Sequence, residues 1–199
     1  LYLDDNSLGD LPVEVWANLF AGLSQLRFLK LRRNRLSLFP AEVFSGLGKL
    51  RELHLSSNSL GDLPVAVWAS LFRELGELQK LDLSRNRLSL FPAEVFSGLG
   101  KLQDLDLSSN SLGALPIEVW ANLFAGLRQL QILDLGSNRL SLLPAEIFSG
   151  LGNLQVLDLG YNSLGDLPIE VWANLFGGLG SLRQLDLSSN RSEEHTSEL

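Results

Sequence analysis

Residues 6–33 read NSLGDLPVEVWANLFAGLSQLRFLKLRR, and residues 34–57 read NRLSLFPAEVFSGLGKLRELHLSS. Both close on L-x-x-L-x-L-x-x and are followed by asparagine. The marker asparagines are Asn6, Asn34, Asn58, Asn86, Asn110, Asn138, Asn162 and Asn190, and the gaps alternate between 28 and 24 residues. The true unit is therefore a 52-residue pair. Residues 6–57, 58–109 and 110–161 are near-copies, and 162–190 begins a fourth. In L-x-L the two leucines point to one face of a strand. A strand this short cannot bury that face alone, so copies must stack side by side around a continuous leucine core. Each repeat returns by a crossover, which makes consecutive strands parallel. Strands are expected to centre on Leu29–Leu31, Leu53–Leu55 and their five later equivalents. The asparagine ends the strand, and its side chain is suited to bonding turn backbone.

The long repeat differs from the short by four residues, as PVEVWANLFAGL against PAEVFSGL shows. Four residues are close to one helical turn, so the insertion lengthens the outer side and keeps the flanking leucines in phase. Pro12 suits a first helical position, and Glu14 favours a helix N-terminus. Trp16, Leu19, Phe20 and Leu23 then share an inward face. Trp68, Trp120 and Trp172 recur at the same place and are expected to fill the core beneath the outer helices.

With L-P-x-x-x-F-x-x-L-x-x-L at Leu38–Phe39–Pro40 through Phe44, Leu47 and Leu50, the chain resembles the typical class of leucine-rich-repeat proteins. That class includes Toll-like receptor ectodomains, variable lymphocyte receptors, and Slit-like and small matrix proteoglycan-like proteins. The resemblance covers residues 1–190 and implies an α/β solenoid. Its parallel sheet is concave, its short helices are convex, and 28- and 24-residue repeats alternate. It also implies a receptor-like, extracellular or cell-surface protein-recognition scaffold rather than an enzyme. The 28-residue repeats and the missing cysteine caps depart from the class.

Composition narrows the reading further. The net charge is −7, which argues against a nucleic-acid partner. There is no cysteine, hence no disulfide framework or thiolate nucleophile, and no apolar run long enough to span a membrane. The chain opens on Leu1 without a signal-peptide pattern and reads as an internal piece of a longer protein. Residues 191–199, RSEEHTSEL, leave the repeat and equal the in-frame translation of a widely used sequencing-library adapter. The expected organisation is a repeat segment over 1–190, uncapped at both ends, and an adapter-derived tail over 191–199. His195 and the sequon Asn190–Arg191–Ser192 are set aside with that tail.

No catalytic, cofactor or metal motif emerges. His54, Asp82 one strand over and Ser56 have the composition of a hydrolase triad but no oxyanion hole, so His54 reads as a solvent-facing residue. Gly46–Leu47–Gly48 and Gly177–Gly178–Leu179–Gly180 lack the order of phosphate-binding loops. The informative positions are the x residues around L-x-L, which face the concave side. The N-terminal end gathers Phe28, Lys30, Arg32, Arg33 and Arg51, with His54 and Lys80 following. Asp82, Asp104, Asp106, Asp134, Asp158 and Asp186 dominate the remainder, beside Ile132 and Val156. Like charges on adjacent strands repel, so stability alone does not favour that carboxylate column. The pattern fits a protein ligand with a basic patch, and a hard cation such as Ca²⁺ is the alternative occupant.

Overall fold

The computed structural model describes residues 1–191, so the adapter reading of 192–199 lies outside the described residues. Among the described residues, seven strands form one parallel sheet in chain order: β1 (Phe28–Lys30), β2 (Glu52–His54), β3 (Lys80–Asp82), β4 (Asp104–Asp106), β5 (Ile132–Asp134), β6 (Val156–Asp158) and β7 (Gln184–Asp186). Tyr2 adds an isolated parallel bridge to Lys30. The register holds Leu29, Leu53, Leu81, Leu105, Leu133 and Leu157 in one row, and each is fully buried.

The strands centre one residue earlier than the L-x-L pattern suggests. Parallel bonding does continue past β1, through Leu31 N–H to the His54 carbonyl at 2.8 Å. The Leu31 carbonyl, however, accepts from the Asn58 side chain at 2.9 Å. The asparagine amide thus replaces the next backbone donor to that carbonyl, while Arg33 N–H still reaches the Ser56 carbonyl at 3.1 Å.

These asparagines form two alternating kinds of contact. In the long repeats, Asn58 Oδ1 accepts from the amides of Asn34 (2.8 Å) and Leu36 (3.0 Å), and Asn110 and Asn162 repeat the arrangement. In the short repeats, Asn86 Oδ1 accepts only from Leu60 N–H, at 3.3 Å, while its Nδ2 reaches the Leu55 and Leu83 carbonyls. A backbone bond from Gly61 N–H to the Asn86 carbonyl completes that second junction. The approach there is close. A Cβ on Gly9, Gly61 or Gly113 would stand 2.2, 2.3 or 2.1 Å from the carbonyl oxygen of Arg35, Arg87 or Arg139. Those arginines hold left-handed φ values of 58°, 59° and 58°. Glycine is required in the long repeat because the next short repeat turns a carbonyl into its place.

The outer side alternates too. Only the long repeats carry α-helices: α1 (Val13–Trp16), α2 (Val65–Trp68), α3 (Ile117–Trp120) and α4 (Ile169–Leu175). A 3₁₀ turn precedes each, as at Leu60–Asp62. The short repeats make turns instead, so the four inserted residues do supply a helical turn. Pro12 caps α1 rather than opening it, with ψ of 146°. Trp16, Trp68 and Trp120 are buried and Trp172 is half-buried. Each of the first three begins an aromatic file. Trp68 lies edge-on to Phe72 at 6.1 Å, and Phe72 stacks on Phe96 of the next repeat at 6.4 Å. Trp68 also packs 6.1 Å from Phe91, a position that is a buried leucine, Leu143, in the next pair. Leu75 and Leu127 are buried as the helical spacing requires; their counterpart Leu23, in the first repeat, is exposed.

Two outcomes are expected of this core. Trp68→Ala costs about 3–5 kcal/mol in denaturant unfolding, the range for a large aromatic removed from a packed interior. Asn86→Ala costs about 2–4 kcal/mol, because it strips partners from the buried Leu60 amide and Leu55 carbonyl together. A loss under about 1 kcal/mol in the second variant would show that the amide ladder is not what holds neighbouring turns.

Candidate functional site

The concave sheet face carries two polar columns whose neighbours the register fixes. One runs Phe28, Glu52, Lys80, Asp104, Ile132, Val156 and Gln184, and the other Lys30, His54, Asp82, Asp106, Asp134, Asp158 and Asp186. Twelve of the fifteen residues singled out in the sequence therefore lie in these columns, and Arg32, Arg33 and Arg51 flank β1 and β2. They do not act as one surface.

At the N-terminal end the charges are compensated internally. Arg32 Nη2 lies 2.7 Å from His54 Nδ1 and 3.4 Å from Asp82 Oδ2. A guanidinium only donates, so Nδ1 is the acceptor and the ring proton sits on Nε2, 3.3 Å from Glu52 Oε2. His54 is only 4% exposed. This corrects its reading as solvent-facing, since the flanking Arg32 and Glu52 side chains close over the ring. Asp82 is buried as well. Lys80 pairs with Asp104, and Arg33 stands 3.5 Å from Asp5. The basic cluster is therefore largely neutralised in place. Lys30 instead lies over the Tyr2 ring, 4.9 Å from its centre.

From β4 onward the balance differs. Among the described residues, Asp106, Asp134, Asp158 and Asp186 have no basic side chain within 4.0 Å. Each carboxylate accepts from the amide two residues on, as Asp134 does from Gly136 at 2.8 Å and Asp158 from Gly160 at 2.7 Å. Asp82 and Asp106 also take the hydroxyls of Ser84 and Ser108. The column therefore has a local structural role that charge counting misses: it caps strand-end amides. Asp-x-Ser and Asp-x-Gly were the signal for this in the sequence, since Asx side chains bond backbone two residues ahead.

The repulsion nevertheless registers. Burial, with the charges of Asp106 and Asp158 added, raises Asp134 to about 6 against the Gly136 amide. Burial raises Asp106 too. At the open end, Asp186 is lowered by the Ser188 amide and hydroxyl. Among the described residues, no group of three or more His, Cys, Asp or Glu is arranged to hold a metal ion. No described helix is long and apolar enough to cross a membrane.

A raised acid pKa stabilises the fold at low pH. The contribution of Asp134 is therefore present below about pH 4 and lost as pH climbs through about 6. Asp134→Asn keeps an acceptor for Gly136 and removes the charge. The variant is expected to match the parent at pH 4 and to be more stable at pH 7. The gain is about 1–2 kcal/mol, below the full linkage value because solvent screens a partly open carboxylate. Thermal melts across this range decide it, and a variant less stable at pH 7 would contradict the assignment.

Comparison with known proteins places this geometry. The family model described as leucine rich repeat matches residues 1–60, 65–112 and 128–191. A search of curated proteins finds no match. Among solved structures, a leucine-rich-repeat protein of Leptospira interrogans is 32% identical, with 96% of this chain covered and a TM-score of 0.71. The Toll receptor of Drosophila, solved in complex with Spatzle, is 24% identical over 85% of this chain, with a TM-score of 0.67. InlJ of Listeria monocytogenes, whose functional domain includes a cysteine ladder, is 20% identical over 84%, with a TM-score of 0.59. The chain spans 43%, 21% and 31% of those three chains respectively. The last two likenesses are of fold alone. Leucine-rich repeats commonly mediate protein–protein contact and are typically non-enzymatic scaffolds. With matched segments running through most of its length and every strand in the repeat's register, the chain belongs to the leucine-rich-repeat family.

Proposed function

We propose that the chain is a protein-recognition segment of a receptor-like ectodomain and that it binds a protein ligand on its concave face. The observation that carries this reading is the run of carboxylates at Asp106, Asp134, Asp158 and Asp186 without basic partners, next to apolar Ile132 and Val156. Ile132 is 40% exposed. A ligand with a basic patch would meet the carboxylates, and its apolar contacts would cover Ile132 and Val156. The N-terminal strands contribute Phe28, 42% exposed, and Lys30. His54 and Asp82 act from beneath by holding Arg32. Fold-level similarity to a Toll ectodomain supports the receptor-like origin as an analogy. A matrix or adaptor role would use the same face.

Panning a displayed library of protein domains against the chain supplies ligands for the test. For such ligands, Asp106→Asn with Asp134→Asn is expected to lower the association rate about tenfold at low salt, and the difference shrinks as salt rises. Unchanged binding in that variant, with loss on mutating the outer helices, would overturn the concave assignment.

A further inference from the structure

His54 makes a contact that only its neutral form allows. Charged groups from three strands surround the ring. Lys30 stands opposite it on β1 and Asp82 opposite it on β3, with Arg32 just past β1, Glu52 on β2 itself and Lys80 beside Asp82 on β3. Lys30 leans over the Tyr2 ring and Lys80 pairs with Asp104, so both ammonium groups are engaged elsewhere. The contact that matters is Arg32 Nη2, donating to Nδ1 at 2.7 Å. Asp82 Oδ2 stands 3.4 Å from the same guanidinium nitrogen and 3.7 Å from Nδ1. The other Asp82 oxygen is taken by the Ser84 amide and hydroxyl.

A proton on Nδ1 reverses this arrangement. The nitrogen can no longer accept, and a guanidinium cannot accept either, so two donors and two positive charges would face each other. The free acceptor beside Nδ1 is Asp82 Oδ2. Burial works against the Asp82 charge, but hydrogen bonds from His54, Ser84 and Ser56 outweigh it and hold the carboxyl well below the usual range. Asp82 is therefore ionised wherever a histidine titrates. The His54 side chain is 4% exposed and set between two strands, whereas the Arg32 side chain is 38% exposed. The Arg32 backbone is tied separately, its amide donating to Asp4 Oδ1 at 2.8 Å. The guanidinium is the member free to leave.

We propose that His54 is a pH-operated latch on the concave face. On acidification it takes a proton at Nδ1, turns that N–H to Asp82 and releases Arg32 into the ligand-facing surface, so that a ligand with a basic patch dissociates. This rests on the concave face being the ligand surface. At neutral pH, Lys30, Arg32 and Lys80 balance Glu52, Asp82 and Asp104, so the imidazolium charge is uncompensated. The far end of the face changes in the same sense. Burial and the neighbouring carboxylates raise Asp134 to about 6, and it loses its charge over the same interval. Both ends become less attractive to a cationic partner, which speeds its departure.

The first arm of the test needs no ligand. His195→Gln leaves His54 as the sole histidine. Side-chain nitrogen resonances of that labelled chain are followed from about pH 7.5 to about pH 5. His54 is expected to begin with its proton on Nε2 and to gain one on Nδ1. The Arg32 signals are expected to shift, and to exchange faster with water, in the same transition. His54→Gln offers Arg32 an acceptor that does not titrate, and there the Arg32 signals are expected to hold still. The second arm uses a domain recovered by panning, with Asp134→Asn as background so that this position has constant charge. Dissociation is expected to be about tenfold faster at the acid end, and His54→Gln is expected to remove most of that difference. Arg32→Gln, on a partly exposed side chain, is expected to do the same and serves if the buried substitution disturbs folding. Arg32 signals that ignore the His54 transition, or an acid effect that persists in both variants, would overturn the proposal. Failure of the concave reading shows separately, as an association rate at constant pH that is indifferent to Asp106→Asn with Asp134→Asn. That result would overturn the control of binding while the resonance transition remained.

Discussion

Each strand of this sheet ends inside the core, where a leucine carbonyl faces no water and no neighbouring backbone amide. An unpaired carbonyl there would cost a few kcal/mol in every repeat. The asparagine amide answers that need, with Nδ2 on carbonyls of two successive repeats and Oδ1 on amides of the repeat before. Strand length, the turn that follows and the join between repeats all depend on this contact. It also forces the residue before each asparagine into the left-handed region, as at Ser57 and Ser109, against its intrinsic preference. The leucine core supplies the driving force for stacking, and the amide ladder makes the stacking register-specific.

The same economy of backbone partners shapes the concave face. Because asparagine takes the strand-end carbonyl, the amide opposite it is left without a backbone acceptor, and an aspartate two residues earlier receives it. Structure therefore places a carboxylate on almost every strand, whatever the face does. What distinguishes β4 to β7 from β1 to β3 is the absence of cations beside those carboxylates. A residue that recurs on five of the seven strands for local reasons presents free charge only where its neighbours leave it uncompensated.

Much of the fold was legible in the sequence, because the repeat states it many times. The L-x-L alternation gave the sheet and its direction, and the four-residue insertion gave the helices of the long repeats. Two things were not legible. The burial of His54 depends on Arg32 and Glu52 folding over it, which is a matter of rotamers on three neighbouring positions rather than of any pattern. The left-handed arginines were equally hidden, since nothing in N-R-L-S-L marks Arg35 as φ-positive until the glycine of the preceding repeat is packed against it. The alternation around L-x-L put the two columns on one face, but the electrical division read along them was overdrawn at the basic end, where Asp5, Asp82 and Asp104 already meet the cations.

The two kinds of junction are not interchangeable. A long repeat offers glycine to the arginine carbonyl that follows it, and a short repeat offers two amides to the asparagine that follows it. In this backbone, a short repeat in the place of a long one would set a side chain against the arginine carbonyl that the glycine accommodates. Recombination that preserves both kinds of junction changes the length of such an array in steps of 52 residues. The near-identity of the three pairs is what an array that grows by whole pairs would retain.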